Sequence, residues 1–502
     1  MISQRKTHIY LERQPRFNDM MLSLKATARV PKGMIRETEE VVALARKFTD
    51  EVVRPNVSNL DLTMHSDPEY LDWEYVKKAN DMGLYTLFIP RALGGKGYNI
   101  SSMAYFLEEI GSACVAMSNL VGVHYLGVDT LGATWNARLL KRIFHDVREG
   151  ERTGNPCLLS LATTEPNAGT DVEEVDLVER GKIGCRAERV KGGYKLNGMK
   201  CFISNGHLST WHIVIAYADT KKPAESVVVL AVKTGTPGFS FGRMEHKMGQ
   251  KACPASELIF EDCFVPDNQV GIDPEQMRKL SRSPRETYQQ MIDYVVSTSR
   301  ACVSAFGVSV ARGAFEQALR FATETMVDGQ LLINHEWAQV HLAEMYRNVL
   351  VGRLAYEQAN YANDLYGFYK WFTWKPAFYF LKYVPEAIID KVIAPMLDHP
   401  LATWLLRKLQ FDLQTDAEFH CTSGWASLAK VTGTDAGLAN GRLALELMGK
   451  AGVRHDQRAE KFLRDSKLLQ IYEGTNQLNR INMLKCFIGS AHPEIRVFDE
   501  EG

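Results

Sequence analysis

From about Ile35 to Val147 apolar residues recur at helical spacing. EVVALARKFTDEVV, DWEYVKKANDMGLYTLFI and MAYFLEEIGSACVAMSNLVGV each place them at i, i+3, i+4 and i+7. Pro90 and the glycines Gly94, Gly95 and Gly97 punctuate this region as turns. Between Leu158 and Pro266 the period falls to two. Short runs rich in β-branched and aromatic residues, such as HIVIAYAD from His212, SVVVLAVK from Ser226 and SELIFEDCFV from Ser256, alternate with turns such as Thr236-Pro237-Gly238. Helical spacing returns in long segments from about Pro284. The pattern predicts an α+β multidomain chain: an N-terminal α-helical domain over 1–157, a compact antiparallel β domain over 158–275, and a C-terminal α-helical domain over 276–502. A β module set between helical domains creates clefts of the kind that hold cofactors.

One stretch departs from this pattern. Phe368, Tyr369, Trp371, Phe372, Trp374, Phe378, Tyr379, Phe380 and Tyr383 crowd together with Lys370, Lys375 and Lys382, and ATWLLRKLQF follows, ending at Phe411. Pro376, Pro385 and Pro395 break the region into pieces too short for one spanning helix. It reads as an insertion over about 367–421. A hairpin packed on the protein's own surface or at a subunit interface accounts for it. So does a peripheral membrane contact through 368–411, favoured by aromatic residues beside lysines, or a docking face for an electron-transfer partner.

Composition narrows the function classes. With 502 residues, 45% hydrophobic and 24% charged, the chain exceeds one core and carries enough apolar area to fold. Lys plus Arg at 59 against Asp plus Glu at 60 gives a net charge of −1, which argues against a dedicated nucleic-acid binder. The nine cysteines are scattered with no C-x-x-C pair, so reduced thiols and no metal site are expected. MISQRKTHIYLERQ lacks the apolar core of a signal peptide, and no uncharged stretch approaches a membrane span, so the expected location is cytoplasmic.

The chain lacks G-x-x-x-x-G-K-[ST], G-x-S-x-G, H-E-x-x-H and a Rossmann G-x-G-x-x-G after a strand. Three local patterns remain. Leu161 to Asp171 (LATTEPNAGTD) offers hydroxyls and small residues able to present donors to a flavin edge or a pyrophosphate, although an ordinary polar loop explains it as well. In GMKCFISNG, Phe202 and Ser204 set an aromatic face beside a hydroxyl, which suits a flat ring and equally suits core packing. In RDSKLLQIYEGTNQ, Glu473 stands between Tyr472 and Gly474; taken alone it is most simply a surface carboxylate.

Together and in this order, these patterns resemble the acyl-CoA dehydrogenase family. The resemblance runs from about Pro31 to Ser490 outside the insertion and includes IPRALGGKGYN, TTEPNAGTD, KCFISNG, MEHKMGQKACPASELIFEDCFVP and, most specifically, RDSKLLQIYEGTNQLNR. It implies an N-terminal α-helical domain, a middle antiparallel β-barrel and a C-terminal α-helical bundle, tightly bound FAD, and a homodimer or homotetramer. It also implies α,β-dehydrogenation of an acyl-CoA thioester to the trans-2-enoyl-CoA, with electrons passed to an electron-transfer flavoprotein.

By position, Glu473 matches the catalytic base, whose pKa desolvation must raise toward working pH. Its backbone N–H and a flavin hydroxyl would bind the thioester carbonyl. Thr164, Thr170, Phe202, Ser204, Thr475 and Gln477 match cofactor-binding positions. Arg300 matches a position near the CoA nucleotide, Tyr472 and Gly474 flank the substrate, and Ser118 and Gly122 lie where bulk would shorten the acyl pocket. Ser299 stands where some members keep an alternative base, and a serine cannot serve as one.

Three departures stand out: Thr325 replaces an FAD-binding Arg, Glu336 follows His335 where Gln is usual, and Glu446 replaces the Gln opening ELMGKAG. Two other readings of the same fold are an enoyl-CoA reductase running in reverse and a non-catalytic scaffold associated with a membrane or, less compatibly with the neutral charge, with DNA.

Overall fold

The computed structural model describes residues 26, 29–492 and 494–498. The N-terminal stretch read for a leader, residues 1–14, lies outside them. Counting helices of eight residues or more, the first domain holds α1 (Gly33–Phe48), α2 (Arg54–Ser66), α3 (Trp73–Asp81), α4 (Ser102–Gly132) and α5 (Ala137–Thr153). Side-chain caps set two of the starts: Asp72 accepts from Tyr75 N at 3.0 Å, and Asn136 accepts from Leu139 N at 3.2 Å. Within α4, Cys114 leaves helical geometry (φ −157°, ψ 106°), which redirects the second half of that helix.

Eight strands follow: β1 (Leu159–Ala162), β2 (Arg186–Val190), β3 (Gly193–Ser204), β4 (Trp211–Tyr217), β5 (Val227–Lys233), β6 (Phe239–Met244), β7 (Ala255–Pro266) and β8 (Val270–Ile272). They form one sheet in the order β6-β7-β3-β2-β4-β5-β8, with β1 added alongside β4. The pairing is antiparallel except that β1 and β2 each join β4 in parallel.

The period-two pattern has a physical reading here. On β4, Trp211, Ile213, Ile215 and Tyr217 enter the core shared with the helices, whereas Val214 and Ala216 enter a second core within the sheet domain. β5 divides in the same way, with Val227, Val229 and Ala231 against Val228, Leu230 and Val232. Both faces are buried, so these strands are apolar apart from the buried His212 and the terminal Lys233.

The C-terminal domain comprises α6 (Pro284–Glu324), α7 (Glu336–Tyr366), α8 (Lys375–Tyr383), α9 (Pro400–Arg407), α10 (Asp416–Met448), α11 (Ala459–Leu469) and α12 (Asn476–Phe487). Capping boxes at Ser283 with Glu286 and at Thr415 with Glu418 begin α6 and α10. These two long helices approach closely because Gly307 faces Gly433; a Cβ at Gly307 would stand 2.2 Å from the Gly433 carbonyl oxygen. By length and composition α4 and α6 could each cross a membrane, yet their apolar windows are 94% and 83% buried inside the protein, where they form the core. All nine cysteines are free thiols.

The aromatic segment divides its side chains between inside and outside. Phe368 packs on Tyr294, the Tyr369 hydroxyl donates to Asp129 at 2.8 Å, Trp371 Nε1 donates to Leu409 O at 3.0 Å, and Phe378 is buried. Trp374, Phe380, Tyr383, Met396, Leu401 and Trp404 remain exposed. The segment lies against the N-terminal domain. Arg91 Nη1 donates to Leu381 O and Lys382 O at 2.9 Å each, Lys382 pairs with Glu37 at 2.9 Å, and Arg138 Nε donates to Asp398 O at 2.7 Å.

Candidate active site

Two of the motif stretches, LATTEPNAGTD and GMKCFISNG, meet through a buried ion pair. Lys200 of β3 lies 2.7 Å from Glu165, both side chains inaccessible, and also donates to Thr163 O at 2.9 Å. Cys201 N donates to Thr164 O at 3.0 Å. These bonds hold the end of β1 beside the end of β3, so that Thr163, Thr164, Phe202, Ile203 and Ser204 line one cleft. The strand pairing shifts register between Lys200 and Ile203, and Phe202 takes a left-handed backbone (φ 57°). That irregularity turns the Phe202 ring outward, 57% exposed, onto the cleft wall. A bulky residue at positive φ is strained, and such strain persists where surrounding structure over-determines it.

The loop after α11 forms the opposite wall. Asp465 Oδ1 accepts from Gln250 N at 2.5 Å, and Gln250 Nε2 donates to Asp465 O at 2.9 Å. Gln250 Oε1 then accepts from the Tyr472 hydroxyl and from Asn119 Nδ2, each at 3.2 Å. Gln250 therefore seats Tyr472 on the cleft beside Glu473.

Glu473 also has a left-handed backbone (φ 55°) and lines two adjoining clefts, of about 870 and 610 Å³ empty volume, which share Leu161, Thr163, Glu173 and Glu473. Burial pushes its carboxyl up to about 7, and the Glu173 carboxylate adds to this; the Ser299 hydroxyl, Arg300 and Lys430 pull the other way. Ser299 donates to Glu473 Oε2 at 2.9 Å. It is unable to be a base, and here it holds the Glu473 carboxyl. Lys430 is fully buried and donates to Gly474 O and Asn476 Oδ1 at 2.7 Å each, and burial lowers its ammonium to about 7.

The expected site residues separate into groups. Glu473, Tyr472, Thr164, Phe202, Ser204 and Gly122 line the larger cleft. Arg300 lines neither cleft. It is fully buried behind the Glu473 loop, with Nε 3.4 Å from Glu473 O, Nη1 3.1 Å from Ser427 Oγ and Nη2 3.5 Å from Glu173 Oε2. Ser118 is buried, and its hydroxyl donates to Leu107 O at 2.7 Å inside the helical packing. The depth expected at Gly122 is taken by Phe306, whose Cζ stands 2.7 Å from where a Cβ would be. Thr170 opens a short 3-10 turn outside the clefts, Gln477 is exposed, and Thr475 caps α12 by accepting from Leu478 N at 3.2 Å.

Gly474 has φ +71°, and a Cβ there would fall 2.8 Å from Leu478 Cδ2 and 2.9 Å from Glu173 Oε2. Its bareness makes room for Glu173 and Leu478. Gly474→Ala is expected to cost about 1–2 kcal/mol through the left-handed backbone and to reduce turnover by displacing Glu473. Thermal melting of the variant checks this, and an unshifted midpoint would contradict it.

Asp129, Glu173, Gln250 and Lys430 had no assigned role from sequence. Asp129 and Lys430 carried one signal, an ionisable residue amid small and apolar neighbours. Asp61, His455 and Glu460 converge as a metal site would, but Arg464 Nη2 already donates to Asp61 at 2.8 Å and to Glu460 at 2.9 Å.

A flat ring with a hydrogen-bonding edge fits the larger cleft: an exposed aromatic face, two threonines and a serine on one side, and a carboxylate across from them. A flavin-dependent oxidoreductase is the class this fold and cleft define. The acyl-CoA dehydrogenase N-terminal domain matches residues 36–148, the middle domain 160–263, and the C-terminal domain 290–366 and 406–486. The chain belongs to the acyl-CoA dehydrogenase family, whose members are FAD-dependent.

It is 26% identical over 454 residues to acryloyl-CoA reductase (NADH) of Anaerotignum propionicum, spanning 90% of this chain and 95% of that one. It is 27% identical over 451 residues to cyclohex-1-ene-1-carbonyl-CoA dehydrogenase of Syntrophus aciditrophicus, spanning 89% of each. Its fold is similar to that of butyryl-CoA dehydrogenase from Megasphaera elsdenii, with a TM-score of 0.66 at 20% identity over 89% of this chain and 97% of that one.

Proposed function

We propose that the protein dehydrogenates an acyl-CoA thioester across its α,β bond, with Glu473 removing the α-proton. The observation that carries this reading is the Glu473 carboxyl: it lies on the wall common to both clefts, is held by Ser299, and is pushed up to about 7 by burial. A base poised near working pH couples availability to driving force. Bound FAD supplies the acceptor for the β-hydride. Thr164 and Ser204 would hold its ring edge, and Phe202 would lie against the ring. The Glu473 backbone N–H binds the thioester carbonyl, which acidifies the α-proton. Tyr472 and the Phe202 side of the cleft exclude water from the reacting bond.

Only the carboxylate can accept a proton. Turnover is therefore expected to fall as pH drops below about 7, the value to which Glu473 is raised, and a pH–rate profile limited by an acid group near 4.5 would contradict this.

An electron-transfer flavoprotein is the proposed acceptor, a homodimer or homotetramer the proposed assembly, and the cytoplasm the proposed location. The exposed Trp337, Val340, Tyr346, Leu350 and Leu354 along α7 provide apolar surface for subunit packing. The outward aromatics of the 368–411 segment are the surface proposed for peripheral membrane contact, which liposome flotation with and without the segment tests. Thr325, following α6, brings no cation to a phosphate. FAD is accordingly expected to bind more weakly than a charge-assisted contact allows, by about 1–3 kcal/mol. Flavin fluorescence after dilution measures the release, and Thr325→Arg should slow it.

The test of the whole reading is anaerobic titration of the purified flavoprotein with saturated and unsaturated acyl-CoAs. Bleaching of the flavin band by a saturated thioester supports dehydrogenation, and a spectrum indifferent to every thioester refutes it. The similarity to an acryloyl-CoA reductase favours one second reading, reduction of an enoyl-CoA. It predicts instead that the reduced flavin is reoxidised by an unsaturated thioester faster than the oxidised flavin is bleached by the saturated one.

A further inference from the structure

One stripe of α4 and one of α6 line one wall of the larger cleft beside the residues proposed to face the flavin. Gly122, Leu126 and Asp129 follow one another at spacings of four and three, and Thr298, Cys302 and Phe306 at spacings of four. Most of this wall is apolar: Val123, Leu126, Val303 and Phe306. Asp129 and Thr298 interrupt it side by side.

Asp129 is 8% exposed, and its Oδ1 accepts from the Tyr369 hydroxyl, contributed by the aromatic insertion, at 2.8 Å. Thr298 is 7% exposed, and its hydroxyl has no partner at hydrogen-bonding geometry, although it lies close enough to offset part of the burial that pushes the Asp129 carboxyl up to about 7. Both line the cleft that Glu473 lines. Cys302, one turn on from Thr298 along α6, lines the same cleft as Asp129 and Glu473. Asp129 therefore faces the space that an acyl group would enter.

A carboxyl and a hydroxyl on a largely apolar wall leave donor and acceptor capacity unmet until something fills the cleft. We propose that the acyl group this site takes carries a hydroxyl within a few carbons of the thioester, which bonds to the Asp129 carboxyl and the Thr298 hydroxyl. A hydroxyl both donates and accepts, so it matches both partners. A second carboxylate on the acyl chain would fit beside Asp129 only with a proton between them, and a plain hydrocarbon would leave the Thr298 hydroxyl and the second Asp129 oxygen desolvated and unpaired. Tyr369 is a positioning residue: it holds Asp129 from behind, which ties the specificity of the cleft to the insertion. This inference rests on the acyl-CoA reading of the site.

The experiment compares matched thioesters on the flavin-loaded enzyme: hexanoyl-CoA against its 4-, 5- and 6-hydroxy derivatives, by kcat/KM with an artificial electron acceptor and by anaerobic flavin bleaching. One hydroxylated member is expected to exceed hexanoyl-CoA by about tenfold or more, since a site that hydrogen-bonds a substrate hydroxyl discriminates strongly against its absence. The ratio should collapse toward one in Asp129→Leu and fall in Thr298→Val. Tyr369→Phe, which keeps the ring packing, should lower it while leaving the Glu473 pH limb in place. Equal use of all four thioesters by the native enzyme, or an unchanged ratio in Asp129→Leu and Thr298→Val, overturns the inference and leaves the dehydrogenase reading standing. Failure of every thioester to bleach the flavin overturns both.

Discussion

Glu473→Gln should lower turnover by about two to four orders of magnitude, the range a positioned general base contributes, while the protein keeps its flavin. The amide is nearly isosteric and its oxygen can still accept from Ser299, which now bonds Oε2 at 2.9 Å. The loop should keep its place, because Gly474 O and Asn476 are held by Lys430 rather than by the Glu473 side chain. What disappears is the Glu473 carboxylate, which lies on the wall shared by both clefts and is raised to about 7. Glu173 shares that wall, but Arg300 lies against it at 3.5 Å. Steady-state turnover with the best thioester, beside the flavin absorbance of the purified variant, decides the matter. Residual activity within tenfold of native would remove Glu473 from the role of base.

The second large effect is on stability. Arg300→Met is expected to cost about 3 kcal/mol, the lower end of what breaking a buried charge pair costs. The lower end applies because Glu173, with its side chain 21% accessible, regains some hydration when its partner goes, whereas Arg300 itself has none. The variant also strips donors from Glu473 O and Ser427 Oγ. Arg300→Lys keeps the charge without the planar fork and should fall between. Equilibrium denaturation measures both, and a Met variant as stable as the native protein would show that the guanidinium is dispensable to the loop.

The helical and strand segments were legible because their apolar spacing is imposed by what they bury. β4 and β5 read as strands, and the structure adds that their two faces feed two different cores. Glu473, Phe202 and Ser204 were legible as members of motifs. The motif residues Glu165, Lys200, Gln250 and Asp465 carried no visible purpose in sequence, because each acts on a partner tens to hundreds of positions away. Arg300 and Ser118 were assigned to substrate, yet both spend their polar atoms on protein neighbours, which spacing along a helix cannot reveal. Gly122 looked like room, and Phe306, more than 180 residues later, fills it. Asp129 could be flagged as a charge in an apolar helix, but its Tyr369 partner comes from the segment least like the rest of the chain.

That segment leaves the C-terminal domain after α7, crosses to the N-terminal domain and returns to α10. Its contacts with Arg91, Glu37 and Arg138 make it a strap across two domains. A strap of this kind opposes a hinge between the two packed helical domains. Ligand traffic is then expected to run through rotamer changes and short loops rather than domain separation, and the helical domains to lose their structure in one cooperative event.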